Sequence, residues 1–274
     1  MGIFPGFGSW INQNTQQSHD QGESKRSGNV KQKSMSEENT HEERDEMKEQ
    51  LKLWRDENKK KQWYDPPPKV KVETRNDLEW GLCHMQMEFT LGLPPQAAYD
   101  VLTNPDNQPY SKMIKNRELL ENISRKIESE NKGKNSQIVD SEKALSWNFL
   151  WWSGTIPIRL YFIEKPRELA VLYGKQKNEM RYMAMFEGSY EVEPMYVDSE
   201  RFCKHMKPKS REEYRKCSGG QGRIASKVKL DQIFKPSPLF NVPPISWFIR
   251  KVTVKTTKTL AEDLQTASAV IRGI

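Results

Sequence analysis

Side chains able to do acid–base, nucleophilic or metal chemistry are sparse in this sequence of 274 residues. It holds four histidines (His19, His41, His84, His205) and three cysteines (Cys83, Cys203, Cys217). His205 follows Cys203 closely and Cys217 lies beyond, but a closed zinc site needs a fourth ligand and none is spaced to supply it. No metal or other cofactor is expected. The cysteines form no CxxC pair and leave an odd thiol, for which a reducing compartment is the simplest reading. No GxSxG, HExxH, Walker or dinucleotide fingerprint occurs. His84 falls on a strand, where a lone histidine is far more often structural than a general base. Glu187 and Glu191 alternate on what reads as a wet face. Acid–base chemistry would need a titratable group inside the fold with a shifted pKa, so no catalytic residue is assigned.

The better site candidate is an apolar cavity. Trp147, Phe149, Ile158, Leu160, Phe162, Tyr182, Phe186, Tyr190 and Leu230 are placed to face a C-terminal helix, on which Thr256 would add a polar group, with Ser226 as a second. A concave, mostly apolar pocket with a few polar groups is the usual small-molecule site. The plain alternative is a solid core. Arg159 interrupts an aromatic strand and could meet a carboxylate or phosphate, although its strand neighbours put it on the outer face.

These side chains need elements to hold them. After a proline-rich elbow (Pro236, Pro238, Pro243, Pro244) the apolar positions Ile245, Ile249, Val252, Leu260, Leu264, Ala267 and Ile271 step as one buried face of a helix of roughly 25 residues. Strands are expected at 84–91, 119–127, 137–140, 143–152, 155–164, 168–173, 180–192 and 223–234, with a short helix after Pro94 and Pro95. In 180–192 the residues Tyr182, Ala184, Phe186, Gly188, Tyr190 and Val192 share one side. In 223–234 the residues Ile224, Ser226, Val228 and Leu230 oppose Lys227, Lys229 and Asp231. Such alternation marks a sheet with one wet face. A long helix following so many strands must lay its apolar face on them, because neither surface can stay wet.

Ahead of this domain, residues 1–76 read as an arm. Residues 12–36 have almost nothing to bury and are expected to be disordered, and 37–63 read as a charged helix with Met47, Leu51 and Trp54 in a narrow stripe. Pro66, Pro67 and Pro68 then act as a stiff spacer, so the folded domain is expected over 77–274. The first 80 residues carry 14 Lys and Arg against 15 Asp and Glu, which leaves 30 against 22 for the rest. That basic excess favours anionic partners. Phe240, Trp247 and Phe248 near the elbow could gate the cavity and dip into an anionic membrane. No nucleic acid is expected, since no basic stripe interleaves with exposed aromatics. No run is long and apolar enough for a membrane span. The start lacks the pattern of a signal peptide, and Gly6 stands where an acylation motif needs Ser or Thr.

The order of strand, short helices, antiparallel strands and long C-terminal helix resembles the START-like helix-grip superfamily, which also carries the polyketide cyclase/dehydrase and lipid-transport label. The sequence more closely resembles a plant family known as domain of unknown function 220. The residues that carry this are the opening Met1–Trp10, Leu91-Gly92-Leu93-Pro94-Pro95, Trp151-Trp152-Ser153-Gly154 and Phe240-Asn241-Val242-Pro243-Pro244. The resemblance implies an α+β fold, a curved antiparallel sheet of about six to seven strands wrapped on the C-terminal helix. It also implies a lipid or other hydrophobic small molecule bound beneath that helix. The expected protein is cytoplasmic, in peripheral contact with membrane, and binds without turnover. The alternatives are a cyclase- or dehydratase-type enzyme using the same cavity, and an interaction protein with a closed core.

Overall fold

The computed structural model describes residues 30–75, 81–103, 120–131, 136–149, 152–176 and 180–273. Its elements in order are α1 (Val30–Lys60), β1 (Lys69–Arg75), β2 (Leu82–Leu91), α2 (Pro95–Thr103), β3 (Leu120–Asn131), β4 (Ser136–Phe149), β5 (Trp152–Lys165) and β6 (Ala170–Lys175). They continue with β7 (Met183–Tyr196), α3 (Ser199–Phe202), α4 (Arg211–Ser218), β8 (Ile224–Pro236), a 3₁₀ turn (Pro238–Phe240) and α5 (Ile245–Ile271).

The eight strands form one sheet in the order β1-β2-β8-β7-β6-β5-β4-β3, with every neighbouring pair antiparallel. Alternation decides its faces. On β2, Cys83, Met85, Met87, Phe89 and Leu91 are buried, while Gln86 and Glu88 are exposed. The apolar side carries α5, which packs against β2 and β8, with Leu264 and Ile271 at one cluster and Ile249, Val252 and Val254 at another. This is the expected helix-grip architecture, an antiparallel sheet carrying a long C-terminal helix, with eight strands in place of about six to seven.

The extra strand is β1, which shifts the domain boundary. The sequence places that boundary at 76/77, but β1 pairs residue for residue with β2, from Lys69 opposite Glu88 to Arg75 opposite Leu82. The described residues divide into two units between 43 and 44. The stripe on α1 belongs to the second unit, since Leu51 is buried and Trp54 is 0% exposed. β1 escaped notice because its outer residues Lys69, Lys71 and Glu73 are charged, as an edge strand's often are. Of residues 12–36, expected to be disordered, 30–36 form the start of α1, so the helix begins before the expected residue 37; the rest lies outside the described residues.

Two further expectations change. The segments read as separate strands at 137–140 and 143–152 run together as β4 as far as Phe149, and Trp152 already belongs to β5. On β7 a register shift lies between Met183 and Met185. Such a bulge turns the residues before it onto the opposite face, so Met183 is buried and Ala184 exposed. On α5 the stripe holds at Ile249, Val252, Leu264, Ala267 and Ile271, whereas Ile245 and Leu260 are exposed.

Candidate functional site

The inner face gathers most of the cavity candidates in one place. Leu160 is buried with Met85, Met183 and Phe234, and Phe162, Tyr182, Phe186 and Leu230 pack around them with Ile249, Val252 and Val254 of α5. Phe162, Leu230 and Tyr190 also pack on the second cluster, built on Met87, Phe89, Val171 and Val228. Thr256 is buried on α5. Phe162, Tyr182, Phe186, Tyr190 and Leu230 each keep some reachable surface, while Met85, Met87 and Phe234 are sealed. Trp147, Phe149 and Ile158 lie on described strands, but their side chains fall outside the description.

Tyr173, missed in the sequence reading, is the centre of this wall. Its ring lies 6.0 Å from Phe162, 6.1 Å from Phe186 and 6.4 Å from Tyr190, all tilted, the spacing at which aromatic pairs attract. Its hydroxyl donates to Gln232 Oε1 at 2.8 Å. Gly188 makes that reach feasible, because a Cβ there would stand 2.7 Å from the Tyr173 hydroxyl and 2.5 Å from the Asp231 carbonyl oxygen. Gln232 could have been found from its strand. It takes the next inner position after Val228 and Leu230, a carboxamide in an apolar line.

Electrostatically the wall is quiet. Burial pushes the phenols of Tyr173 and Tyr182 well above the ordinary tyrosine range. Burial likewise raises the Cys83 thiol, against a hydrogen bond from Thr74 and the Arg250 charge. Gln232 Nε2 and Tyr182 Oη are buried without a hydrogen-bond partner. An unmade bond of this kind costs about 1–3 kcal/mol.

Other candidates resolve into structural roles. Ser226 donates to the Leu93 carbonyl at 2.7 Å. Arg159 is exposed. His84 Nε2 lies 2.8 Å from Asp231 Oδ2 on the outer face, where Lys227–Glu88 and Lys229–Glu193 also pair across strands. Cys203 and Cys217 are joined by a disulfide, leaving Cys83 as the free, buried cysteine. The pairing arises because the insertion between β7 and β8 folds back through α3 and α4. The cysteine argument for a reducing compartment therefore lapses. Among the described residues no group of three or more His, Cys, Asp and Glu converges on a metal position, and no described helix is long and apolar enough to cross a membrane.

A second constellation joins α1 to the domain. Trp54 Nε1 donates to the Ile224 carbonyl at 2.9 Å. Gln50 donates to the Gly222 carbonyl at 3.1 Å and accepts from Ile224 N at 2.9 Å. Two guanidiniums flank the Trp54 ring, Arg223 at 4.9 Å and Arg272 at 5.5 Å. Arg223 forks onto Asp198 at 2.9 and 2.8 Å. Burial raises the Asp198 pKa, but these bonds outweigh it and hold the carboxyl below its ordinary value. Arg272 reaches Asp65 Oδ2 at 2.9 Å, both side chains almost wholly buried, and Ser268 Oγ at 2.8 Å. Gly92 leaves the room, since a Cβ there would lie 2.0 Å from Arg272 Nη1.

Sheet, grip and inner aromatic wall define a helix-grip protein. The chain belongs to the family described as domain of unknown function DUF220, whose profile matches residues 69–274. No curated protein matches the sequence. Among solved structures it is similar to the Zhui aromatase/cyclase from Streptomyces sp. R1128, at 12% identity and a TM-score of 0.40 over 70% of this chain and 94% of that one. It is also similar to Ara h 8.0201, at 12% identity and a TM-score of 0.39 over 69% and 98%. A third is the ginseng major latex-like protein 151 from Panax ginseng, at 8% identity and a TM-score of 0.32 over 67% and 98%. Likenesses of this size say nothing about ligand or activity.

Proposed function

We propose that this protein binds a lipid or another hydrophobic small molecule between the inner face of the sheet and α5, without turning it over. The observation that carries this is the half-open aromatic wall. Phe162, Tyr182, Phe186, Tyr190 and Leu230 sit on the buried side yet keep reachable surface, as the lining of an apolar pocket does. Binding rather than catalysis is favoured because burial holds the inner phenols and the Cys83 thiol protonated. A group so shifted is a poor base or nucleophile near neutral pH. Native mass spectrometry of the purified full chain, followed by solvent extraction, tests the reading. An apolar molecule should co-purify and be recovered unchanged; a protein that is empty and takes up no apolar dye would sink it.

The elbow before α5 serves as a contact with anionic membrane. Leu239 is 83% exposed and Trp247 63%, and Phe240, Val242 and Ile245 are exposed beside them. Residues 232–261 hold Lys235, Arg250, Lys251, Lys255 and Lys258 and no acidic residue. Basic residues near an anionic surface contribute about 1 kcal/mol each within a Debye length, and exposed aromatics insert at the interface. Co-sedimentation should show binding to vesicles containing phosphatidylserine, weak binding to neutral vesicles and loss in high salt. Equal binding to both vesicle types would rule out the electrostatic part.

A further inference from the structure

The inner wall carries a polar pole whose chemistry selects among apolar ligands. Gln232 is 2% exposed, and its carboxamide is oriented by the Tyr173 hydroxyl, which donates to Oε1 at 2.8 Å. That bond turns Nε2 away from Tyr173, and Nε2 is buried without a partner. Tyr182 Oη, in the same interior, is buried and unpartnered as well. The arrangement has dedicated supports. Gly188 clears the space for the Tyr173 hydroxyl, and three aromatic rings hold the Tyr173 ring in place. A chain that needed only a packed core would place leucine at position 232, since an apolar residue leaves no donor unmet.

The charges around the interior decide which oxygen suits this pole. Among the described residues the buried charged side chains are Glu164, Asp263 and Arg272. Arg272 is committed to Asp65 at 2.9 Å. Lys175, at the end of β6, gives its ammonium to the Met183 carbonyl at 2.7 Å. A carboxylate or phosphate brought beneath α5 would meet a buried donor amide on the wall, while the guanidiniums of α5 are already engaged, Arg272 with Asp65 and Arg250 through Nη2 with Asn241 Oδ1 at 3.0 Å, although the Nε of each is buried without a hydrogen-bond partner. Burying an unpaired anion is costly.

We infer that the ligand is a neutral apolar molecule bearing a hydroxyl or carbonyl oxygen, which accepts a hydrogen bond from Gln232 Nε2 and meets Tyr182 Oη as a second contact. This inference rests on the proposed hydrophobic site and sharpens it to a chemical class.

The test is displacement of Nile red, a neutral apolar dye, from the full chain by hexadecanol, hexadecane and hexadecanoate. Hexadecanol should displace the dye at about tenfold lower concentration than either of the others, as expected for one added hydrogen bond in a dry site. Gln232→Leu should bring hexadecanol to the level of hexadecane while leaving hexadecane unchanged. Tyr182→Phe should weaken hexadecanol several-fold and spare hexadecane, which keeps the test decisive if the first variant folds poorly. Preferential displacement by hexadecanoate would overturn the inferred class but leave the cavity standing. Equal displacement by all three, unaltered by Gln232→Leu, would mean that a buried water serves the amide, and would also overturn it. A protein that binds no dye at all would overturn the cavity reading itself.

Discussion

The two ends of α5 are held by opposite means. At its C-terminal end Arg272 is buried against Asp65, Ser268 and Trp54, and Gln265 donates to the carbonyls of Pro66 and Thr90 at 2.8 and 3.1 Å. Charges and amides there find partners from three different segments, with Arg272 Nε the one nitrogen of that guanidinium left without a hydrogen bond. Toward its N-terminal half Ile249, Val252 and Val254 lie over aromatic rings that keep some surface. The polar atoms nearby, Gln232 Nε2 and Tyr182 Oη, are left without partners. A fold that must stay shut satisfies its buried polar groups, because each unmet one weakens it. Where a second molecule is to be held, the partner can come with that molecule. The contrast separates a structural clamp from the proposed binding wall within one helix.

The clamp is the place to strike hardest. Asp65→Ala leaves Arg272 buried and uncompensated, which should cost about 3–5 kcal/mol, read as a lowered midpoint in urea. The double variant Asp65→Leu with Arg272→Met removes both charges and should recover much of that loss. If the single variant unfolds like the parent, the pair is not a clamp. Truncation makes the same point. Loss of residues 1–43 should leave the thermal midpoint within a few degrees, whereas loss of 1–76 removes Trp54 and β1 and should yield insoluble protein.

Leu264→Asp places a carboxyl against the first core cluster and should cost about 2–4 kcal/mol; an unchanged melting curve would deny that α5 grips the sheet. On the wall, Gly188→Val would force the Tyr173 hydroxyl and the Asp231 backbone aside. The expected cost is about 1–3 kcal/mol, accompanied by loss of dye binding. A variant that loses stability but keeps its dye would mean that the Tyr173–Gln232 bond has no part in the site.

The smallest effect expected is in the pH profile. Burial pushes the Asp100 carboxyl on α2 up to about 6, and the bond from Gln96 only partly offsets this. The folded protein then holds a proton that the unfolded chain releases. Its contribution to stability is full below about pH 4 and is lost as pH rises through about 6. Asp100→Asn should flatten that decline in thermal scans between these limits. An unchanged slope would assign it to another group.

Much of this fold could be read from local pattern. Period-two alternation in β2 and β8 and the helical stripe from Ile249 to Ile271 name their buried faces without reference to anything distant. The class of architecture follows, because so many one-sided strands and one long amphipathic helix must cover each other. The inner placement of Leu160, Phe162, Phe186, Tyr190 and Leu230 follows from that pattern, while their role as a ligand wall is the reading proposed above. What depended on distant partners was not legible. β1 is charged on its outer positions and becomes a strand only because β2 offers it an edge. Trp54 is one residue on a polar helix until Ile224 and two arginines surround it. Cys203 and Cys217 pair only once α3 and α4 fold back. The bulge near Met183 reverses a face that simple alternation assigns the other way. Tyr173 and Gln232, far apart in the chain, form a polar pole only where β6 and β8 flank β7 and Gly188 clears the space between them. Local spacing determines which side of an element is apolar, because that is set by backbone period alone. Which polar groups find partners, and which are left waiting, is decided by contacts between residues far apart in the chain.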